Sequence, residues 1–167
     1  MTVTLVAHRN DWAKTFEQER AAFGDAFSEL HHIGSTSIPG ILAKPIIDML
    51  GAVNDPDALA QNPQAFDHLG YQGLGAFGIE GRLFFRKNDA GGARSHHLHV
   101  FAPGSPHIAR HLAFRDFLRA HPDIAAAYSD VKAALVKRGV DAEAYMDGKD
   151  PFIKRVEAQA LDWARAQ

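Results

Sequence analysis

A chain of 167 residues, 46% hydrophobic and 23% charged, has the composition of a globular protein. It is long enough to bury roughly 70% of its unfolded surface around one core, so a single domain over residues 1–167 is expected. Its net charge of −2 gives no general attraction for nucleic acid or a membrane surface, and any phosphate site must come from local clustering. The absence of cysteine excludes disulfides, thiolate zinc sites and cysteine nucleophiles. Met1 to Ala7 is too short an apolar run, without a basic leader, to read as a signal peptide, and no stretch approaches the ~20 apolar residues of a membrane helix. A cytoplasmic location without membrane attachment is therefore expected.

In chain order, Asn10 or Asp11 can cap a first helix to about Phe23 with Trp12, Phe16 and Phe23 on its apolar side. A strand from Ala26 to Ile33 leads to a Gly34-Ser35 turn, a short helical piece after Ser37, and a second strand carrying Asp48. Asp55 and Pro56 open a helix predicted to reach Leu69. Gly73 to Gly81 is a glycine-rich loop; Arg82 to Lys87 and Ser95 to Phe101 read as strands joined by a hairpin turn over Asn88 to Ala93. Three helices are predicted in the last third: Pro106 to Ala120, Pro122 to Lys137, and Pro151 to Ala166. Together these give a mixed α/β sheet with a helical C-terminal third packed on it.

The stretch from His31 to Leu50 carries the most chemistry. A strand alternates faces, so Ile46, Asp48, Leu50 and Ala52 should share one side and Ile47, Met49 and Val53 the other. Asp48 thus places a charge on an otherwise apolar face, where burial is costly unless something positive answers it. The Gly34-Ser35 turn with Thr36 could hold a phosphate on backbone amides and hydroxyls, or be an ordinary turn. It is not a P-loop, because Gly40 is followed by Ile41 rather than Lys.

Gly73-Leu74-Gly75-Ala76-Phe77-Gly78 matches the GxGxxG pattern, but no strand precedes it and a strand rather than a helix follows, so dinucleotide binding is rejected. A lid that closes over a ligand is one use for such a loop. His97 and His99 lie on one face of their strand, either as metal or phosphate ligands or as histidines bonded within the fold. Arg82, Arg86 and Arg94 nearby favour an anion. His111, Arg115 and Arg119 recur every four residues as a basic helix stripe, which alone reads as a solvated face.

Taken together, His32-Ile33-Gly34-Ser35-Thr36-Ser37-Ile38-Pro39-Gly40, Ala43-Lys44-Pro45-Ile46-Ile47-Asp48, Gly81 to Lys87, His96 to Val100 and His111 to Pro122 resemble the GrpB family over nearly the whole chain. Tyr145, Lys149, Phe152 and Ile153 resemble its closing segment. The chain departs from the family pattern around His8 to Trp12 and at Lys149-Asp150-Pro151, both expected to lie outside the site. The resemblance implies a nucleotidyltransferase-like fold, found in some bacteria as a domain attached to dephospho-coenzyme A kinase.

Nucleotidyltransferases of that fold hold a triphosphate on a Gly-Ser turn and coordinate metal with paired carboxylates. Asp48 can fill one such place, but Ile46 and Leu50 beside it cannot fill the other. The expectation is an enzyme that transfers a nucleotidyl or phosphoryl group from a nucleoside triphosphate to an unidentified acceptor. Gly34, Ser35 and Thr36 would hold phosphate, with Lys44, Arg82, Arg86 and Arg115 as charge partners. Asp48 would bind Mg²⁺ or Mn²⁺; His97 and His99 would be auxiliary ligands or a base, and no organic cofactor is expected. Imidazole ligands would shift the metal preference towards manganese or zinc. The alternatives are a non-catalytic module for a nucleotide or coenzyme A-like anion, and a small metal-dependent hydrolase built on Asp48, His97 and His99.

Overall fold

The computed structural model describes residues 3–167, so Met1 and Thr2 at the head of the Met1–Ala7 segment lie outside it. Its centre is a five-stranded sheet of order β1-β2-β5-β4-β3. The strands are β1 (Glu29–Ile33), β2 (Ile47–Ala52), β3 (Tyr71–Gly73), β4 (Leu83–Asn88) and β5 (Arg94–Phe101). Only the central β2–β5 pair is parallel; β1–β2, β4–β5 and β3–β4 are antiparallel. A parallel pair at the centre has to be covered on both faces, and the helices α1 (Asp11–Phe23), α2 (Pro56–Ala60), α3 (Pro106–Ala120), α4 (Pro122–Lys137) and α5 (Ala142–Arg165) divide that work. The class is the expected one, a mixed sheet flanked by helices with a helical C-terminal third.

The alternation read from β2 sorts into two cores. Ile47, Met49 and Val53 pack with Leu98, Val100 and Phe85 beneath Trp12, Phe16 and Phe23 of α1. Leu50 and Ala52 point the other way, joining Ile33, Phe101 and Ile108 of α3. A third cluster ties the turn after β1, through Ile38 and Ile41, to Phe117, Leu118, Tyr128, Phe152 and Val156 of the C-terminal helices. The helices therefore cover that second face of the sheet only in part, and the uncovered part holds Asp48.

Several boundaries differ from the sequence reading. The first strand begins at Glu29 rather than Ala26, and the turn after it is one 3-10 turn at Ser35–Ser37. The helix from Pro56, capped by Asp55 as expected, ends at Ala60 instead of Leu69. Pro63 accounts for this, because the residue before a proline is driven out of the helical region. A short edge strand, Tyr71–Gly73, stands at the start of the predicted loop. The last helix begins at Ala142, not Pro151, with Asp141 accepting a hydrogen bond from Ala144 N at 2.8 Å. Pro151 sits inside it. A mid-helix proline costs about 3 kcal/mol, and burial of Tyr145, Lys149, Phe152, Val156 and Ala160 along one stripe holds the helix together across it.

Leu98 is fully buried at the middle of β5 and in the cluster under α1. Leu98→Ala is expected to lower unfolding free energy by about 2–5 kcal/mol, measurable by urea denaturation with tryptophan fluorescence.

Candidate functional site

Asp48 sits on β2 directly opposite His97 of β5, with Leu50 opposite His99 one step along. Residues paired in register project from the same face, so the carboxylate and both imidazoles meet on the uncovered side of the sheet. His99 Nε2 lies 2.8 Å from Asp48 Oδ1, and His99 Nδ1 lies 3.2 Å from Arg82 Nη1. A guanidinium can only donate, so Nδ1 is the acceptor and the ring proton sits on Nε2, donated to Asp48. Burial alone would raise the Asp48 carboxyl. The His99 ring and its hydrogen bond, helped by His97 and His111, outweigh burial and hold it at about 2.

The Gly34 turn closes over the carboxylate. Gly34 has φ +71°, and a Cβ built there would stand 2.8 Å from Asp48 Oδ2 and 2.9 Å from its Cβ. Only glycine permits both that conformation and that approach. Thr36 is fixed beneath the turn: its hydroxyl donates to Ile46 O at 3.1 Å and accepts from His32 Nε2 at 2.9 Å. His32, stacked on Phe16 and kept neutral, has its pKa pushed down to about 4 by burial and by the nearby Arg119.

A cavity of about 280 Å³ opens beside these groups, lined by Gly34, Ser35, Thr36, Lys44, Asp48, His97 and His99 from the first part of the chain and by Tyr128, Lys132, Tyr145 and Lys149 from α4 and α5. Lys132 is 1% exposed, yet its ammonium group reaches Ser35 Oγ at 2.8 Å and the Leu42 carbonyl. Its charge lies 4.4 Å from the centre of the Tyr128 ring, and that of Lys149 lies 4.6 Å from the Tyr145 ring. Burial, with Lys149 and Lys44 close by, pulls Lys132 down to about 7. Burial and Lys44 pull Lys149 to about 8. Three lysines therefore surround a cavity in which, among the described lining residues, Asp48 is the one carboxylate.

The residues singled out from the sequence divide accordingly. Gly34, Ser35, Thr36, Lys44, Asp48, His97 and His99 come together as expected; Arg82, Arg86 and Arg115 do not line the cavity. Arg82 is buried because it braces the loop before β4, donating to Ala76 O at 3.3 Å and Phe77 O at 2.8 Å. Arg86 donates to Gln72 at the far side of β4. Arg115 donates to the His32 carbonyl and Arg119 to the Ser37 carbonyl, so the stripe on α3 clamps the Gly34 turn from behind rather than facing solvent.

Lys132, Lys149, Tyr128 and Tyr145 are additions. The segment around Lys149 does reach the site, contrary to expectation. Lys132 had a signal of the kind that marked Asp48: it interrupts the buried stripe Ala125, Tyr128, Lys132, Leu135 of α4.

The donor set does not make a metal cage by itself. Among the described residues no three His, Asp or Glu side chains are placed to hold a metal together, and both nitrogens of His99 are already engaged. Asp48, His97 and His99 thus do not form the expected ligand triad. Asp48 Oδ2 carries no hydrogen bond to a described side chain, which leaves one carboxylate oxygen for a cation whose other ligands would come from elsewhere.

The chain has relatives in sequence and in fold. A family model described as GrpB protein matches residues 2–159. The chain belongs to the GrpB family. It is 41% identical over 170 residues to UPF0157 protein YqkA of Bacillus subtilis (strain 168), a match covering 99% of this chain and 49% of that protein, so this chain spans about half the length of that relative. The crystal structure of conserved protein GrpB from Enterococcus faecalis superposes with a TM-score of 0.88 at 35% identity, covering 96% of this chain and 99% of that one. A slighter likeness, with a TM-score of 0.48 at 17% identity over 75% of this chain and 43% of that one, is to Cid1 poly(U) polymerase with MgGTP bound. Among the described residues no helix is long and apolar enough to cross a membrane.

Two titrations follow. Lys132 ionises near 10.5 when unfolded and near 7 when folded, so the unfolded chain binds more protons between those values and stability rises with pH across that window. Lys132→Met should lack this rise. The wild type should gain on the variant by up to about 1.4 kcal/mol per pH unit from pH 7 to 10.5 in urea denaturation.

His32 has the same sign at lower pH: its stabilising effect is complete above 6.5 and is lost as pH falls towards about 4. His32→Gln, which keeps a donor for Thr36, should flatten the acid loss of stability between pH 6.5 and 4 in thermal melts.

Proposed function

We propose that this chain binds a phosphorylated small molecule, a nucleoside triphosphate in the first instance, with its phosphates among Lys44, Lys132, Lys149 and the Gly34-Ser35 turn. The carrying observation is the surplus of buried ammonium groups. Like charges held together out of water are unfavourable until an anion arrives among them. A bound phosphate would relieve that repulsion and recharge Lys132, and charge-assisted hydrogen bonds would hold it. The cavity is open enough to admit such a group, and a cytoplasmic setting belongs to the same reading.

Transfer of a nucleotidyl or phosphoryl group to an unidentified acceptor is the second reading, and it rests on Asp48. That carboxylate stays ionised and has one oxygen free beside the turn. A divalent cation such as Mg²⁺ or Mn²⁺ would be held by Asp48 and the ligand's own phosphate oxygens, and it would supply charge neutralisation at the phosphates. Within the chain, His99 orients Asp48, Gly34 lets the turn approach it, and the lysines position the anion. The hydrolase alternative needs imidazole ligands from His97 and His99, and His99 has none to spare.

Thermal unfolding with ATP, GTP, CTP, UTP, coenzyme A and inorganic tripolyphosphate, with and without Mg²⁺ or Mn²⁺, tests these readings. A ligand at a hundred times its dissociation constant adds about 2.7 kcal/mol, a melting shift of roughly 5–11 °C at this size. A shift in the wild type that is lost in Lys132→Met supports anion binding. A shift that also needs metal and Asp48, vanishing in Asp48→Asn, supports the transfer reading. A protein unmoved by all six anions overturns both.

A further inference from the structure

The cavity accounts for phosphates but not for the rest of a nucleotide. Its volume of about 280 Å³ falls just below the ~300–1,000 Å³ of ligand pockets, which leaves little room for a base and sugar beside the phosphates. The sheet face that carries Asp48 continues past His97. Arg86 of β4 is in register with His97, and Phe84 with His99. Phe84 therefore lies on the same face as the site, its ring centre 5.3 Å from that of His97 and 5.3 Å from that of His99. Above Phe84, stacked at 5.4 Å with the rings 15° from parallel, is Phe77.

Phe77 is a costly side chain to present. It is 57% exposed, and at φ +47° it is, among the described residues, the one non-glycine with a left-handed backbone. A large aromatic residue in that region is under strain of order 1–3 kcal/mol, which persists only when the surroundings impose it. They do: Leu74 N and Gly75 O bond to Phe84 at 2.9 and 2.8 Å, and Arg82 bonds the carbonyls of Ala76 and Phe77. The Gly73 to Gly81 loop, one use of which would be a lid, is thus braced onto β4. The same Arg82 also donates to His99, which holds Asp48, so the position of Phe77 is mechanically linked to the site.

We propose that Phe77 is the stacking surface for the base of a nucleoside phosphate whose phosphate groups occupy the lysine-lined cavity, an inference that rests on the phosphate reading of that cavity. Phe77 keeps 57% of its surface exposed although one face of its ring lies on Phe84, and the Arg86 guanidinium, over the Phe77 ring at 5.9 Å from its centre, adds positive charge there for a nucleoside phosphate. The site would then prefer nucleoside phosphates over phosphorylated sugars or inorganic polyphosphate.

Calorimetric titration of wild type, Phe77→Ala and Phe77→Trp with inorganic tripolyphosphate and with ATP, GTP, CTP and UTP separates the two layers of this reading. At least one nucleotide should bind the wild type more tightly than tripolyphosphate does. Phe77→Ala should weaken that nucleotide by about tenfold or more, within the range of single base–aromatic stacks, and leave tripolyphosphate unchanged. Phe77→Trp should keep the nucleotide affinity, and its added fluorescence should be quenched by the nucleotide and not by tripolyphosphate. Phe77 is exposed, and Arg82 holds its loop through backbone carbonyls that both variants keep, so both variants should fold, which the melting temperature checks. Unchanged nucleotide binding in Phe77→Ala, with tripolyphosphate still bound, overturns the platform and leaves the phosphate site standing. Failure of every probe to bind the wild type overturns both.

Discussion

A carboxylate on the central parallel pair of a sheet has to be answered by positive charge or left in contact with water, and much of this molecule follows from how Asp48 is answered. His99, one strand away, donates to it; Arg82 in turn fixes the tautomer that lets His99 do so. That single relay commits a whole strand and loop. The same guanidinium donates to the carbonyls of Ala76 and Phe77 and so holds that loop against β4. On the other side, the approach of the turn after β1 to within contact of the carboxylate demands glycine at position 34.

Charge at the site is organised in two layers with different tasks. The arginines of α3 and Arg82 donate to backbone carbonyls and to His99, and thereby fix shape. Lysines line the cavity instead, as compact charges on flexible stems that lose protons readily when buried. Folding this chain therefore places its ionisable groups in unfavourable surroundings at one location, with Lys132 near 7 and Lys149 near 8. Stability surrendered locally in this way is the usual mark of a site shaped for a ligand rather than for packing.

The relatives share this frame at high coverage, and the Enterococcus faecalis protein superposes over nearly its entire length. YqkA carries the same segment within a chain about twice as long. The cavity is built wholly from residues between β1 and α5, which lie within the part of the chain that the match covers.

Which side of β2 Asp48 would take, and which neighbours it would interrupt, was written in the alternation from Ile46 to Val53, because a strand's own period settles which residues share a face. The edge strand at Tyr71 and the true ends of α2 and α5 were not legible. The sequence reading carried one helix past Pro63 to Leu69 and started another at Pro151, and the structure reverses both: the first ends at Ala60 and the second runs through Pro151, held by its buried stripe. The side of the cavity that α4 and α5 supply was also beyond the sequence. Lys132 stands 97 residues from the serine it bonds, and a helix's pattern reports that one face is buried without saying against what. For the same reason the basic residues could be counted along the chain but not aimed. Tertiary packing turned Arg82 and Arg115 inward onto carbonyls and set Lys44, Lys132 and Lys149 around the cavity, since only the assembled fold determines which charges meet.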